Sequence, residues 1–167
     1  MKIKFGFVVV AMTIFVACSS AQSGTATIGK ITITDAWVRA TTTMDHGSHD
    51  AAQSASMKMD GPNSAAYLTI ENKGDADVLL SASVNGDVAD AAELHQSKEE
   101  NGMMMMNPMP AGIDVPANGK LEIKPAGYHI MLVNVKQTLA PGKTIKLALK
   151  FKNNGEVSLD VPVRENK

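Results

Sequence analysis

Histidine and methionine residues lie close together at several places in this sequence. His129 stands two residues before Met131. Because alternate residues of a β-strand project from the same face, an imidazole and a thioether would lie side by side there. A thioether is a soft, neutral ligand that binds Cu(I) well and Zn²⁺, Mg²⁺ or Ca²⁺ poorly. With His95 at the start of a methionine-rich stretch as a further donor, the pattern predicts a Cu(I) site whose affinity falls on acidification only through its histidines.

The cysteine content narrows the kind of copper site. Cys18 is the only cysteine, and it follows an N-terminal apolar run far from the histidines. A blue-copper electron-transfer centre needs a cysteine thiolate together with two histidines. The sequence therefore excludes such a centre and leaves a carrier that binds and releases copper. A single cysteine also excludes an internal disulfide framework and thiolate-cluster zinc sites.

The N-terminal segment has the pattern of an export signal. Lys2 and Lys4 precede an apolar run at residues 5–17, which is shorter than the about 20 residues that span a bilayer. The run ends in Phe15-Val16-Ala17-Cys18, which resembles a bacterial lipobox. We therefore expect a signal peptide at residues 1–17, a lipid anchor to the membrane at Cys18 and a polar tether at residues 18–29. The alternative is cleavage after Ala21, which removes the cysteine, and either route exports the protein to the periplasm or cell envelope.

Charge and composition exclude several classes of function. Removing residues 1–17 takes away two lysines, so 16 Lys and Arg against 17 Asp and Glu become 14 against 17, a net charge of −3. Such a surface offers no basic field for a phosphate backbone, so no nucleic acid is expected as a partner. Ser48-His49-Asp50 is contiguous and lacks the preorganisation of a catalytic triad. No enzyme activity is predicted.

Period-2 alternation of apolar and polar residues recurs in the mature chain and predicts half-buried strands. The pattern is clearest at residues 145–151 and 157–163, and Pro162 in the last run favours an edge strand or a bulge. No segment shows a convincing helical stripe, although residues 87–95 could contain one helical turn. Seven or eight short strands predict one antiparallel β-sandwich or barrel domain at residues 30–167. Shorter runs of the same kind occur at residues 30–37, 66–72, 78–84, 119–124 and 128–135.

Two segments lack this alternation and are predicted to be loops. Residues 41–63 and 96–111 hold eight of the nine methionines outside the signal segment, whereas methionine used as core filler would be scattered along strands. In the first loop, imidazoles and carboxylates would suit Cu(II) and thioethers would suit Cu(I). A solvated insertion that ignores metal is the alternative. The candidate ligands of this secondary metal site are Met44, His46, His49, Met57 and Met59.

The spacing of these residues resembles a known family. His95, Met106, His129 and Met131 resemble the H-x10-M-x21-H-x-M signature of the PCuAC-type periplasmic copper chaperones, with one extra residue before the second histidine. Three surrounding sequence segments resemble the family as well, and the resemblance covers residues 31–163. These segments are Asp35-Ala36-Trp37-Val38-Arg39-Ala40, Ala65-Ala66-Tyr67-Leu68-Thr69-Ile70-Glu71-Asn72 and Leu121-Glu122-Ile123-Lys124-Pro125-Ala126-Gly127-Tyr128-His129.

The resemblance implies both a fold and a role. The fold would be a cupredoxin-like β-sandwich or barrel of about seven to nine strands. One exposed Cu(I) would be held by residues corresponding to His95, Met106, His129 and Met131, with Met104 as the alternative ligand because it shares strand parity with Met106. The copper would go to the Cu_A centre of cytochrome c oxidase or to an assembly chaperone that loads it. The family has only a short turn in place of residues 41–63, so the resemblance implies no role for that loop.

Two other functions remain open from the sequence alone. A copper buffering or resistance protein would store several ions, and the His/Met-rich loop favours it somewhat. An adhesion or scaffold module would expose methionines without binding metal. A metal that binds only the folded state must raise thermal stability by mass action, so a lack of stabilisation by Cu(I) would distinguish the scaffold.

Overall fold

The computed structural model describes residues 24–41, 62–100 and 102–165. Within these ranges the chain forms eleven β-strands and no helix, so none of the described segments is a helix able to span a membrane. The strands are β1 (Ala26–Ile28), β2 (Ile31–Arg39), β3 (Ser64–Asn72), β4 (Asp77–Val84), β5 (Ala89–Glu100), β6 (Met103–Pro108), β7 (Ile113–Val115), β8 (Gly119–Ile123), β9 (Tyr128–Val135), β10 (Thr144–Phe151) and β11 (Gly155–Arg164).

The strands follow the order β6-β5-β9-β3-β2-β11-β10-β4-β7, with β1 also paired to β2 and β8 to β3. The recorded pairs are antiparallel except for a short parallel contact between β11 and β2. The two halves of this order pack their inward side chains on one core, to which β2, β3 and β9 contribute Ile33, Ile70 and Leu132, and β4 and β10 contribute Leu79 and Leu147. The prediction of an all-β sandwich is confirmed, although the strands outnumber the seven to nine expected.

A β-bulge in β2 decides which side chains face outward beside the core. The pairing of β2 with β3 shifts by one residue between Thr34 and Trp37, where Asp35 has a positive φ of 53°. An extra residue in one strand reverses the alternation beyond it. Ile33 and Val38 both point into the core as a result, and Trp37 and Arg39 point outward.

The prediction of a loop at residues 96–111 is wrong for residues 96–100 and 103–108, which form strands. Residues 96–100 continue β5, and β6 pairs with them in a hairpin. Both faces of β6 are exposed, so no alternation of apolar and polar residues marks this hairpin in the sequence. Met109 was grouped with the loop methionines but packs against the core, where its backbone N–H donates to Leu94 O at 2.8 Å.

Two further sequence predictions need correction. Residues 89–95 form the first part of β5, so the helical turn considered for residues 87–95 is absent. Pro162 marks neither an edge nor a bulge, because β11 lies between β10 and β2 and pairs with β10 without a shift in register. Proline is tolerated there because the parallel pairing of β11 with β2 begins only at Val163. The signal segment with Cys18, and the five candidate ligands of the loop, lie outside the described residues.

Candidate metal centre

The pairing of β5 with β9 brings the two sequence-predicted histidines together. His95 lies directly opposite His129, and Glu93 lies directly opposite Met131. Residues opposite each other in an antiparallel pair project from the same face. Leu94 and its neighbours of the same parity point into the core, so these four side chains lie on the outer side of the sheet. We call this outer side of β9, β5 and β6 the site face.

One ring nitrogen of His95 has no hydrogen-bond partner among the described residues. Its Nε2 lies 2.9 Å from Oε2 of Glu93. Because an ionised carboxylate only accepts hydrogen bonds, Nε2 carries the proton, and Nδ1 keeps its lone pair. Nδ1 is buried and has no hydrogen-bond partner among the described residues. An unsatisfied buried acceptor is unfavourable in the metal-free state, and a metal ion would satisfy it.

His129 is held in the opposite tautomer. Its Nδ1–H donates to the carbonyl of Gly127 at 3.2 Å, which leaves the lone pair on Nε2. The same carbonyl accepts the backbone N–H of Ser97 at 2.9 Å and so ties the turn before β9 to β5. The ring centroids of His95 and His129 lie 5.8 Å apart. Two ring nitrogens without a hydrogen-bond partner among the described residues therefore belong to neighbouring side chains on adjacent strands.

Burial favours the neutral form of His129. Desolvation lowers its pKa below the ordinary value of 6.5, and the charges of His95 and Arg39 lower it further, while the hydrogen bond to Gly127 acts in the other direction. A neutral imidazole is the form that binds a metal. The ring is thus ready to bind metal at neutral pH.

The thioethers of the site lie at different depths. Met131 is only 9% exposed, between Glu93 on β5 and Ala65 on β3. Met106 and Met104 pair with Ser97 and Glu99 of β5, so both lie on the site face, Met106 opposite the second residue after His95 and Met104 opposite the fourth. They are 60% and 51% exposed. The structure therefore places all four sequence-predicted ligands and the alternative ligand on one face, with one buried thioether and two accessible ones.

Glu93 is a site residue that the sequence reasoning missed. It stands two positions before His95, so the period of a strand would have placed it on the same face. A helical turn at residues 87–95 would not show this relation, because residues two apart in a helix do not face each other. No local pattern places Arg39 near His129, because only the bulge at Asp35 turns it outward.

Other kinds of metal site find no support in the described ranges. There, no group of three or more His, Cys, Asp or Glu side chains is placed to hold a metal ion. On the neighbouring part of the outer surface, Trp37 packs against Tyr67 with ring centroids 4.7 Å apart. The candidate donors on the site face are a mixed set of imidazoles and thioethers.

The sequence is similar to proteins described as putative lipoproteins. The family profile described as "Putative lipoprotein LpqE-like" matches residues 31–163. A putative lipoprotein of Leifsonia xyli subsp. xyli is 29% identical over 101 residues, which cover 60% of this chain and 60% of that protein. An uncharacterized protein of Rickettsia prowazekii is 27% identical over 101 residues, covering 60% of this chain and 55% of that protein. The chain thus spans little more than half the length of these two relatives.

Solved structures share the fold at low sequence identity. The apo PCuAC domain from PmoF1 superposes with a TM-score of 0.61 at 22% identity, covering 85% of this chain and 99% of that domain. The copper-bound PCuAC domain from PmoF2 gives 0.60 at 20% identity, with 85% and 98% covered. The solution structure of Cu(I)-DR1885 from Deinococcus radiodurans gives 0.57 at 23% identity, with 89% and 84% covered. The profile match and this fold together show that the chain belongs to the LpqE-like family and has the cupredoxin-like β-sandwich of PCuAC domains.

Proposed function

We propose that the protein is an exported copper chaperone that binds one Cu(I) on its site face and passes it to another copper protein. The ligands are His95 through Nδ1, His129 through Nε2, the thioether of Met131 and the thioether of Met106, with Met104 as the alternative. The observation that carries the proposal is the direct pairing of His95 with His129, each with one ring nitrogen that no described residue hydrogen-bonds.

The donor chemistry favours the reduced ion. Two neutral imidazoles and two neutral thioethers add no negative charge to the metal, and thioethers select Cu(I) over harder divalent ions. The positive charge of Arg39 acts on His129, so a monovalent ion meets less repulsion there than a divalent ion. Both features support Cu(I) as the cargo.

The arrangement of the ligands also suits transfer. His129 and Met131 are largely buried, whereas Met106 lies exposed on β6, the strand at one end of the sheet order. A partner's ligand can displace an exposed, weakly held thioether first and reach the copper while the buried pair still holds it. Stepwise exchange of this kind requires no unfolding, so we propose a carrier rather than an enzyme.

The destination and the location of the protein extend this proposal. The resemblance to PCuAC-type chaperones supports delivery to the Cu_A centre of cytochrome c oxidase or to its assembly chaperone. The relative from Leifsonia xyli is described as a putative lipoprotein, as is the family itself. That description supports a lipid at Cys18 that holds the carrier on the envelope membrane.

Copper buffering is the second candidate. The residues Met44, His46, His49, Met57 and Met59 offer donors for a further ion, as Cu(I) on the thioethers or Cu(II) on the imidazoles. Copper retained at this loop after the site face has been emptied would favour a copper buffering protein over a copper chaperone.

The test replaces His129 and Met131 together, as His129→Ala with Met131→Leu. Competition for Cu(I) against a chromophoric chelator under anaerobic conditions should show loss of the tightly bound ion. Val133→Ala is the matched control, since Val133 lies two residues beyond Met131 on the same face of β9 and is half-buried. Circular dichroism checks that both variants fold. Unchanged copper retention by the folded double variant would refute the proposal.

A further inference from the structure

Four consecutive methionines form most of β6, and only two of them belong to the site face. Met104 and Met106 lie on the site face, whereas Met103 and Met105 project from the opposite side of the hairpin. Met103 pairs with Glu100, and Met105 pairs with Lys98. We call the surface made by these four residues, Met103, Met105, Lys98 and Glu100, the back face of the hairpin.

The exposure of the back face is unusual for apolar side chains. Met103 is 63% exposed and Met105 is 43% exposed. Their strand forms one edge of the sheet in the part of the chain that the structure describes. Exposed, uncharged edge strands invite association with other chains, and proteins usually protect them with charged residues. None of the six residues of β6, Met-Met-Met-Met-Asn-Pro, is charged, so metal binding is an alternative reason for exposing these thioethers.

The geometry of the back face suits a soft metal ion. Alternate residues of a strand lie about 7 Å apart on the same face. Methionine has three rotatable side-chain bonds, so two sulfur atoms at this spacing can converge on one ion. Lys98 and Glu100 form an ion pair at 3.4 Å with both side chains well exposed, so their charges largely offset each other beside the thioethers.

We propose that Met103 and Met105 form a second binding site for a monovalent soft metal ion, Cu(I) or Ag(I), on the back face. The site holds the ion through two thioethers and no imidazole, so it is weaker than the site face. It shares no ligand with His95, His129, Met131, Met104 or Met106. The inference therefore goes beyond the proposed function and does not depend on the ligands assigned there.

The experiment follows each methionine separately in the full chain. Protein labelled with ¹³C in the methionine methyl groups is titrated anaerobically with Ag(I), a redox-inert mimic of Cu(I), and then with Cu(I). Once the first, tight site is filled, further metal should shift the methyl signals of Met103 and Met105. No shift of these two signals, or a shift confined to Met44, Met57 and Met59, would overturn the inference.

Paired variants separate this site from the site face. Met103→Leu with Met105→Leu should abolish the weaker binding and change the affinity of the tight site by no more than about twofold, because sites without shared partners act additively. His129→Ala with Met131→Leu should do the reverse. If the weaker binding survives in the Met103/Met105 variant, the inference fails while the proposed function stands. If that binding is lost but His129 and Met131 prove dispensable for the tight site, the proposed function fails instead.

Discussion

At the scale of single residues, two different acceptors hold the two imidazoles in opposite tautomers. Glu93 fixes the proton of His95 on Nε2, and the carbonyl of Gly127 fixes that of His129 on Nδ1. Residues that hold metal ligands in this way usually matter nearly as much as the ligands themselves. We therefore expect the Glu93 side chain to act as a positioning group for copper, although it is not a proposed ligand.

Replacing Glu93 with alanine should weaken Cu(I) binding by about 10- to 100-fold, because His95 loses the partner that sets its tautomer. The Cu(I) affinity of Glu93→Gln should lie between those of Glu93→Ala and the wild type, since an amide oxygen can still accept a hydrogen bond from Nε2 of His95. Chelator competition measures the affinities. Glu99→Ala is the control, because Glu99 also lies on the site face but pairs with Met104 at the exposed end of the hairpin. Equal affinities for Glu93→Ala and Glu99→Ala would contradict the role of Glu93.

The lowered pKa of His129 predicts how the stability of the metal-free protein depends on pH. Burial keeps this histidine neutral in the folded state below 6.5, the pH at which it would begin to take up a proton in the unfolded chain. The unfolded state therefore binds more protons as the pH falls below that value. We expect the stabilising contribution of the neutral ring to be complete above pH 6.5 and to be lost as the pH falls towards the lowered pKa.

Urea unfolding between about pH 7 and pH 5, above the usual range of carboxylate titration, measures this dependence. The free energy of unfolding of the wild type should decline more steeply over this interval than that of His129→Gln. Parallel curves for the two proteins would show that His129 titrates alike in the folded and unfolded states.

At the scale of secondary-structure elements, the β5–β6 hairpin sorts the methionines onto two faces. The register that pairs Met106 with Ser97 also pairs Met105 with Lys98. Adjacent residues of one strand thus lie on opposite faces, although both are exposed and chemically identical. This sorting gives a direct test of which thioether belongs to the tight site.

Met106→Leu should weaken binding of the first Cu(I), whereas Met105→Leu should leave it unchanged within about twofold. Leucine keeps the apolar volume and removes the sulfur, so any difference reports ligation. Met104→Leu identifies whether the alternative ligand contributes. Chelator competition at less than one equivalent of copper provides the measurement. An equal loss in Met105→Leu and Met106→Leu would mean that the hairpin register does not select the ligand.

A buried carboxylate joins β4 to the turn between β10 and β11. Asp77 accepts hydrogen bonds from the backbone N–H groups of Val78, Asn153 and Asn154, and from the Asn154 side chain. Burial alone would raise the pKa of Asp77, but these hydrogen bonds outweigh it and lower the pKa below its ordinary value. The stabilisation is therefore present above the ordinary pKa and is lost as the pH falls through the lowered pKa.

Asp77→Asn should lower the free energy of unfolding at neutral pH by about 2 kcal/mol, because buried donors lose a charged acceptor. Asp160→Asn removes an exposed ion pair with Lys146 and should cost less than about 1 kcal/mol. Chemical denaturation of both variants gives the two values. A cost for Asp77→Asn no larger than that for Asp160→Asn would contradict the anchoring role.

How much could be predicted from the sequence differs between these elements. β10 and β11 alternate clearly because one face is buried, so the sequence predicts strands at residues 145–151 and 157–163. β6 has no buried face, so its sequence shows no alternation and predicts a loop instead. The bulge at Asp35 depends on pairing with β3, and no local pattern in β2 reveals it. His129 and Met131 were predicted together because their juxtaposition needs only one strand, whereas the neighbourhood of His95 and Met106 depends on the hairpin register.

At the scale of the whole molecule, one buried core lies behind the site face. The buried side chains of β2, β3, β9, β4 and β10 form one cluster, while the site face lies on the outer side of the sheet at the end where β6 forms the edge. A metal ion bound there can be exchanged without disturbing the core. We expect this separation of the core from a site with exposed thioethers on β6 to suit a carrier.

X-ray absorption at the copper edge, on anaerobic protein loaded with less than one equivalent of Cu(I), tests the central claim most directly. The predicted spectrum is that of reduced copper with two nitrogen and two sulfur neighbours, and Met131→Leu should lose one of the sulfurs. Copper surrounded only by nitrogen and oxygen, or a sulfur contribution that Met131→Leu leaves intact, would contradict the assignment of the ion to the site face.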